Sequence, residues 1–452
     1  MIQQKYKFFN LDDYVSSSQQ LYSHLELDFS QNKIGQQGSQ QLTQALNNSI
    51  NLQCLIINLS NNQIDDKAAL SIFSSLNNCT YLTNLTINLE KNDIQQQGAS
   101  NLAKALIQCN NLKSMSLDLG GNKVEPQGAQ SLACALAKLA NLQTLNLNLS
   151  VCTNKIGDEG ALLLGNNLAN CQNLSNLKLD LRGNLIGHKG VDNLVTALAN
   201  CSKLQTLSLI LGHNRINDEA ASCLGSALVK FTQIQNLRLS LDWNQITEKG
   251  IQSLCQFLVN CTNLQSLNLQ LDQNRINDKG ASILGSALSK SSNLQALSLF
   301  LTFCSIYDEG LQDLSLAFTN CLNLSTLKLG LSWNEITEIG VSELAIALKK
   351  CTNISTFELE LYKNSIGDEG LSKICSVLSQ YTKLSNLRLW VQKNNISDYG
   401  AQQLMHTIKN CTKLLSLDLF LYNNNISDSQ KFELKTKICK LRRLLIKSVL
   451  LY

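Results

Sequence analysis

The stretch Asn263–Lys290, NLQSLNLQLDQNRINDKGASILGSALSK, holds two different periods in succession. Leu267, Leu269 and Leu271 alternate with polar residues, the two-residue period of a strand with one buried face. Beyond Asn274 and Ile276 the apolar residues Leu284, Ala287 and Leu288 stand three and four apart, as on one stripe of a helix. The stretch predicts a strand, a turn and a helix. Neither element can bury its apolar side alone, so the unit needs neighbours of its own kind.

The sequence supplies them. The asparagine returns at Asn32, Asn62, Asn92, Asn122, Asn154, Asn184, Asn214, Asn244, Asn274, Asn334, Asn364, Asn394 and Asn424, with Cys304 where a fourteenth is due. The spacing is thirty residues except between Asn122 and Asn154, where Ser150-Val151-Cys152-Thr153 marks a two-residue insertion. A chain of 452 residues ordinarily suggests two or three domains, but periodicity overrides that expectation. Proline occurs once, at Pro126, and no Gly/Ser/Pro-rich linker interrupts the array. The expected organisation is an N-terminal cap over residues 1–21, about fourteen repeats over 22–430, and a basic amphipathic capping helix over 431–452. The repeats stack and share one elongated core.

The pattern L-x-x-L-x-L-x-L-x-x-N-x-I-x-x-x-G-x-x-x-L-x-x-A-L resembles the leucine-rich repeat, in the long, helix-bearing form of the ribonuclease-inhibitor class. The resemblance covers nearly the whole chain. It implies an α/β fold, a leucine-rich-repeat solenoid shaped as a horseshoe, with a parallel concave β-sheet and convex α-helices. One departure is the third leucine among Leu267, Leu269 and Leu271, where the usual pattern has two between the leading leucine and the asparagine; it reads as a longer strand.

Each column of the repeat has a physical reading. Where the strand turns toward the helix, backbone groups leave the ladder and would be buried unpaired, at roughly 1–3 kcal/mol each. The asparagine amide, both donor and acceptor, is expected to satisfy them and to link to the next coil, with Cys304 a weaker substitute. Asp158, Asp218, Asp278, Asp308, Asp368, Asp398 and Asp428, four residues after the asparagine position, are expected as helix N-caps rather than catalytic carboxylates. Of 16 cysteines, eight share one register: Cys79, Cys109, Cys171, Cys201, Cys261, Cys321, Cys351 and Cys411. Other repeats place Ser49, Leu139, Phe231, Ser291 or Tyr381 there, so the position reads as a packing site. There is no C-x-x-C pair, and His24, His188, His213 and His406 fall in different columns, so no metal is expected. Thiols this numerous imply a reducing compartment.

Bulk properties narrow the function. The net charge of +4 is too small to call for nucleic acid or a membrane as partner. The opening MIQQKYKFFNLDDYV reads as neither signal peptide nor presequence, and no apolar run is long enough to span a bilayer, so a cytoplasmic protein is expected. Phosphate-loop, nucleophile-elbow, zinc-protease and kinase motifs are missing, which points to a protein without catalysis or cofactor. Among proteins of the resembled class, GTPase activators and ribonuclease inhibitors are the rival reading. Their typical acidic tail or strongly acidic composition does not match a basic tail and a pI of 8.2.

The residues six, four, two and one places before each asparagine face away from the core. In the first half they are small, polar or mixed. In the second half they include Trp243, Phe300, Phe303, Trp333, Tyr362, Trp390, Phe420 and Tyr422, with Arg238, Lys328, Lys363 and Arg388 among them. Aromatic and arginine side chains dominate interface hot spots, so these twelve form the expected binding site for a protein partner, with the two arginines as orienting charges. Cross-strand packing that merely stabilises the sheet is the alternative. RNA is disfavoured because Asp242, Asp272, Glu358 and Glu360 share the surface. Capping is the first reading of the tail, and contact with a membrane surface or acidic partner the second.

Overall fold

A computed structural model describes residues 5–18, 22–151 and 153–451. Residues 1–4 and 19–21 of the expected cap, Cys152 of the insertion and Tyr452 lie outside the described residues. The chain falls into two compact units, residues 1–216 with 230–234, and residues 217–229 with 235–452.

In the first unit the strands are β1 (Lys5–Phe8), β2 (His24–Asp28), β3 (Cys54–Asn58), β4 (Asn84–Asn88), β5 (Ser114–Asp118), β6 (Thr144–Asn148), β7 (Asn176–Asp180) and β8 (Thr206–Ile210). Each pairs in parallel with its sequence neighbour. In the second unit they are β9 (Asn236–Ser240), β10 (Ser266–Gln270), β11 (Ala296–Phe300), β12 (Thr326–Gly330), β13 (Thr356–Glu360), β14 (Asn386–Trp390), β15 (Ser416–Phe420) and β16 (Ile446–Leu450), again parallel and in order. A helix follows each strand from β2 to β15, as Asn277–Leu288 follows β10. The register sets leucine on leucine: Leu267 pairs with Leu237 on one side and Leu297 on the other. Leu267, Leu269, Leu271, Ile276, Leu284 and Leu288 are all buried, so each unit pools its apolar residues between sheet and helices.

The asparagine column binds coils together, in the direction opposite to expectation. Asn334 Oδ1 accepts from the backbone N–H of Cys304 (3.1 Å) and Ile306 (3.0 Å) of the preceding coil. Its Nδ2 donates to Leu301 O (2.9 Å) in that coil and Leu331 O (3.0 Å) in its own. The amide reaches back because the turn leaves its orphan groups on that side. At the odd position, Cys304 keeps only the donor half: Sγ lies 3.3 Å from Leu271 O.

The aspartate column also acts between coils rather than as a cap for its own helix. Asp218 Oδ1 accepts from Thr247 N (2.7 Å) and Oδ2 from Thr247 Oγ1 (2.7 Å). Thr247 is itself the N-cap of the helix Glu248–Leu254. Asp308 does the same for Thr337, Asp368 for Ser397 and Asp398 for Ser427, while Asp158 and Asp278 take the N–H of Gly187 and Tyr307. Standing inside the first helical turn, these carboxylates point sideways into the next coil. That explains the glycine three residues beyond the following cap: a Cβ on Gly340 would come within 2.5 Å of Asp308 Oδ1.

The cysteine register is a donor position as well as a packing one. Cys351 Sγ lies 3.4 Å from Phe318 O and Cys201 Sγ 3.5 Å from Leu168 O, both carbonyls ending the preceding coil's helix. Tyr381, in the same register, donates its hydroxyl to Leu348 O at 3.1 Å. These bonds satisfy carbonyls that a helix leaves open at its C-terminus. Burial pushes the thiol of Cys351 up to about 12 and that of Cys201 up to about 11, so neither is a thiolate near neutral pH.

The ends differ from each other. Before the repeats, β1 extends the sheet and buried Tyr14 bonds Ser49 at 2.9 Å. The tail is not one helix: Asp428–Cys439 is helical, and residues 446–450 form β16 on the edge of β15. Backbone groups left open along β15 draw the β-branched Ile446 and Val449 into the ladder, with Leu421 N donating to Leu450 O at 2.9 Å. Two basic residues of the tail cap helices, Arg443 on Ile408 O (2.6 Å) and Lys447 on Cys439 O (3.0 Å).

Candidate functional site

The sheet face of the second unit is built from four outward columns. The residue just before each asparagine has a left-handed backbone: φ is 55° at Trp243, 56° at Phe303, 55° at Trp333, 56° at Lys363 and 50° at Lys393. That conformation costs an L-residue roughly 1–2 kcal/mol and suits glycine best. The first unit places Gly121 and Gly183 at this position, along with the polar residues Gln31, Asn61, Lys91 and His213. The second fills it with large side chains lifted off the ladder. Trp243, Phe303 and Trp333 are accordingly 52%, 51% and 39% exposed.

Phe303, Trp333 and Tyr362 form a continuous row on successive coils. Their ring centroids are 6.1 Å and 5.7 Å apart, both edge-on, the geometry the ring quadrupole favours. Lys363 Nζ sits 3.4 Å from the centre of the Trp333 ring and Lys393 Nζ 5.7 Å from that of Tyr362. A second pair, Trp390 and Phe420, packs at 5.1 Å, and both rings are half-buried. Phe300 lies over Gly330, where a Cβ would meet its ring at 2.5 Å. The twelve expected residues thus divide. Trp243, Phe303, Trp333 and Lys363 are exposed, while Phe300, Tyr362, Trp390, Phe420 and Tyr422 are half-buried and in part pack against one another.

The cations divide too. Lys328 on β12, Glu358 on β13, Arg388 on β14 and Asp418 on β15 occupy one column with alternating sign. Lys328 Nζ is 3.0 Å from Glu358, and Arg388 is 3.2 Å from Glu358 and 3.0 Å from Asp418. Arg388 is therefore committed to its own sheet rather than left to orient a partner. These four residues line a depression of about 180 Å³. Arg238 donates to Gln270 Oε1 at 3.4 Å, and its Nε is buried without a hydrogen-bond partner. The alternation was readable in residues thirty apart; that the charges cancel required the register.

Two carboxyls of β13 titrate in opposite directions. Burial alone would raise Glu358, but the bond to Lys328 and the charges of Lys328 and Arg388 outweigh it and hold it below the ordinary value. Glu360 is pushed up to about 8 by burial, by the charge of Glu358 and by their mutual hydrogen bond. It is neutral through most of the physiological range. In the first unit, polar groups on the sheet face bond one another: Asn58 to Asp28 at 3.0 Å and Asn148 to Asp118 at 2.9 Å. Among the described residues no cluster of three or more His, Cys, Asp or Glu side chains is placed to hold a metal. No helix among them is long and apolar enough to cross a membrane.

Comparison with known proteins agrees with this architecture. The sequence model described as a leucine-rich repeat matches residues 108–133, 201–225, 233–255 and 358–375. No curated protein matches the chain. Among solved structures, one similar to it is the yeast Rad7–Elc1 complex, at 17% identity over 90% of this chain and 86% of that one, with a TM-score of 0.50. Another is an internalin (inlF) from Listeria monocytogenes, at 21% identity over 90% and 82% of the two chains, with a TM-score of 0.42. At 17% identity the likeness to the Rad7–Elc1 complex speaks for the fold alone, and the internalin match carries no argument.

Proposed function

We propose, from the premise that this chain is a leucine-rich-repeat protein, that it is a non-catalytic, cytoplasmic scaffold of the ribonuclease-inhibitor-like class that holds a protein partner on the sheet face of its second unit. One observation carries the reading: Trp243, Phe303 and Trp333 stand exposed on left-handed backbone where glycine or asparagine would cost less. Strain retained at large apolar surface residues is a mark of function, and an exposed aromatic row is the chemistry of an interface anchor. The described cysteines are all free thiols, the state a reducing compartment maintains, which supports the cytoplasmic placement.

Strands stack at ~4.8 Å, so the face from β9 to β15 spans roughly 30 Å, the reach of a protein interface. The test is site-specific photocrosslinking in cells, with a benzophenone side chain at Trp333 or at Ile346, which is 58% exposed on the helix Glu338–Leu348. A discrete protein adduct from position 333 and none from 346 is expected. Adducts only from 346, or the same adducts from both, would move the interface off the sheet.

A further inference from the structure

Lys363 and Lys393 differ from the other cations of the sheet face. Lys328 and Arg388 are matched by Glu358 and Asp418, whereas among the described residues no carboxylate lies within ion-pair distance of Lys363 or Lys393. Each instead lies over an aromatic ring, which leaves its N–H donors toward solvent. In the turns that follow β11 to β15, residues 301–307, 331–337, 361–367, 391–397 and 421–427, the charged residues are Lys363, Lys393 and one acid, Glu335. The carboxylates that could have neutralised the lysines are spent on the ion column, and Glu360 is held neutral by burial and by Glu358. The row therefore runs from half-exposed aromatics, Phe303 and Trp333, to lysines with no carboxylate beside them among the described residues.

We propose that this row binds an extended protein segment in which an apolar or aromatic side chain is followed closely by acidic residues. The proposal rests on the reading of the sheet face as a protein-binding surface and adds the chemistry of the partner. The apolar side chain covers Phe303 and Trp333, and the carboxylates take the N–H donors of Lys363 and Lys393. From the coil of Phe303 to that of Lys393 is three strand spacings, about 14 Å, which an extended chain crosses in about four residues. The recognised segment is that short. A nucleic acid fits less well: two unpaired lysines neutralise few phosphates, and Asp242, Asp272 and Glu335 lie in this unit's turns.

The test pans a phage-displayed library of random peptides against the full chain and against its Lys363→Glu/Lys393→Glu variant, after matched melting curves establish that the variant is folded. The wild-type chain is expected to enrich peptides that set Asp or Glu next to an aromatic or aliphatic residue. The charge-reversed chain is expected to lose them by about tenfold or more and to favour Lys or Arg at the same place. Enrichment without acidic bias, enrichment indifferent to the two substitutions, or no enrichment would overturn the proposal. If position 333 still crosslinks to protein in cells, the scaffold reading survives that failure; if it does not, both fall. Binding of a labelled single-stranded oligouridine that disappears in the variant would assign the row to nucleic acid instead.

Discussion

Glu360 shows what one residue of the sheet face costs and allows. Its carboxyl keeps a proton in the folded protein up to about pH 8, while the unfolded chain releases it near the ordinary glutamate value of 4.5. Between those values the folded state binds more protons than the unfolded state, so stability falls as pH rises through the window and the full penalty is present above it. Glu358 works the other way: its lowered value adds stability that is lost only as pH falls below the usual carboxylate range. Glu360→Gln keeps the shape and cannot ionise. The variant is expected to match wild type in acid and to be more stable above pH 8 by on the order of 1–3 kcal/mol, read from melting temperatures across that range. Equal pH slopes for the two proteins would show that Glu360 is ionised in the folded state. The exposure of Trp243, Phe303 and Trp333 was read from their place just before the asparagine position; alternation alone would turn Trp243 inward with Leu237, Leu239 and Leu241, and the left-handed backbone is what lifts it out. The half-burial of Trp390 and Phe420 was not, because it depends on ring meeting ring across a register that no single repeat displays.

Between elements, the contacts that matter are those from one coil to the following one. Asp308 makes three hydrogen bonds into its successor, to Thr337 N at 2.8 Å, Thr337 Oγ1 at 2.6 Å and Gly340 N at 3.0 Å. Asp308→Ala is expected to cost about 1–2 kcal/mol. Gly340→Ala, whose methyl would press on the Asp308 carboxylate, should cost about 1–3 kcal/mol. Removing the carboxylate frees the space, so the double variant should fall short of the sum of the two by at least ~0.5 kcal/mol in denaturant titrations. Strict additivity would mean that the glycine is there for another reason. Strand and helix were both legible because their periods differ, two against 3.6. The direction of the links was not. In a sequence that repeats every thirty residues, a side chain reaching back and one reaching forward leave the same pattern. The tail misled for a related reason: Leu441, Leu444 and Leu445 suit a helical spacing, but residues 446–450 pair with the open edge of β15 instead of continuing as a helix.

At the scale of the molecule, the repeat fixed the architecture of each unit, and departures from it marked the candidate site. The first unit spends its outward positions on side chains that bond one another, such as Asn148 on Asp118, and on glycine. The second spends them on aromatics and on two cations left without counterions. That contrast was visible in the sequence because polar and aromatic columns differ at a glance; which lysines were free was not, since it takes the ion column of Lys328, Glu358, Arg388 and Asp418 to separate matched from unmatched. Within a unit the coils are held by side chains belonging to their neighbours: an asparagine of the following coil on the turn and, in several coils, a carboxylate of the preceding coil at the start of the helix. Stretched between two beads in an optical trap, such a unit should yield as a staircase, each tread releasing one repeat of thirty residues, or about 100 Å of slack. A single rip of the whole unit would show that cohesion extends beyond nearest coils. Because an outermost coil has lost one of its two neighbours, that staircase begins at an end, and the protein frays like a rope rather than shattering like glass.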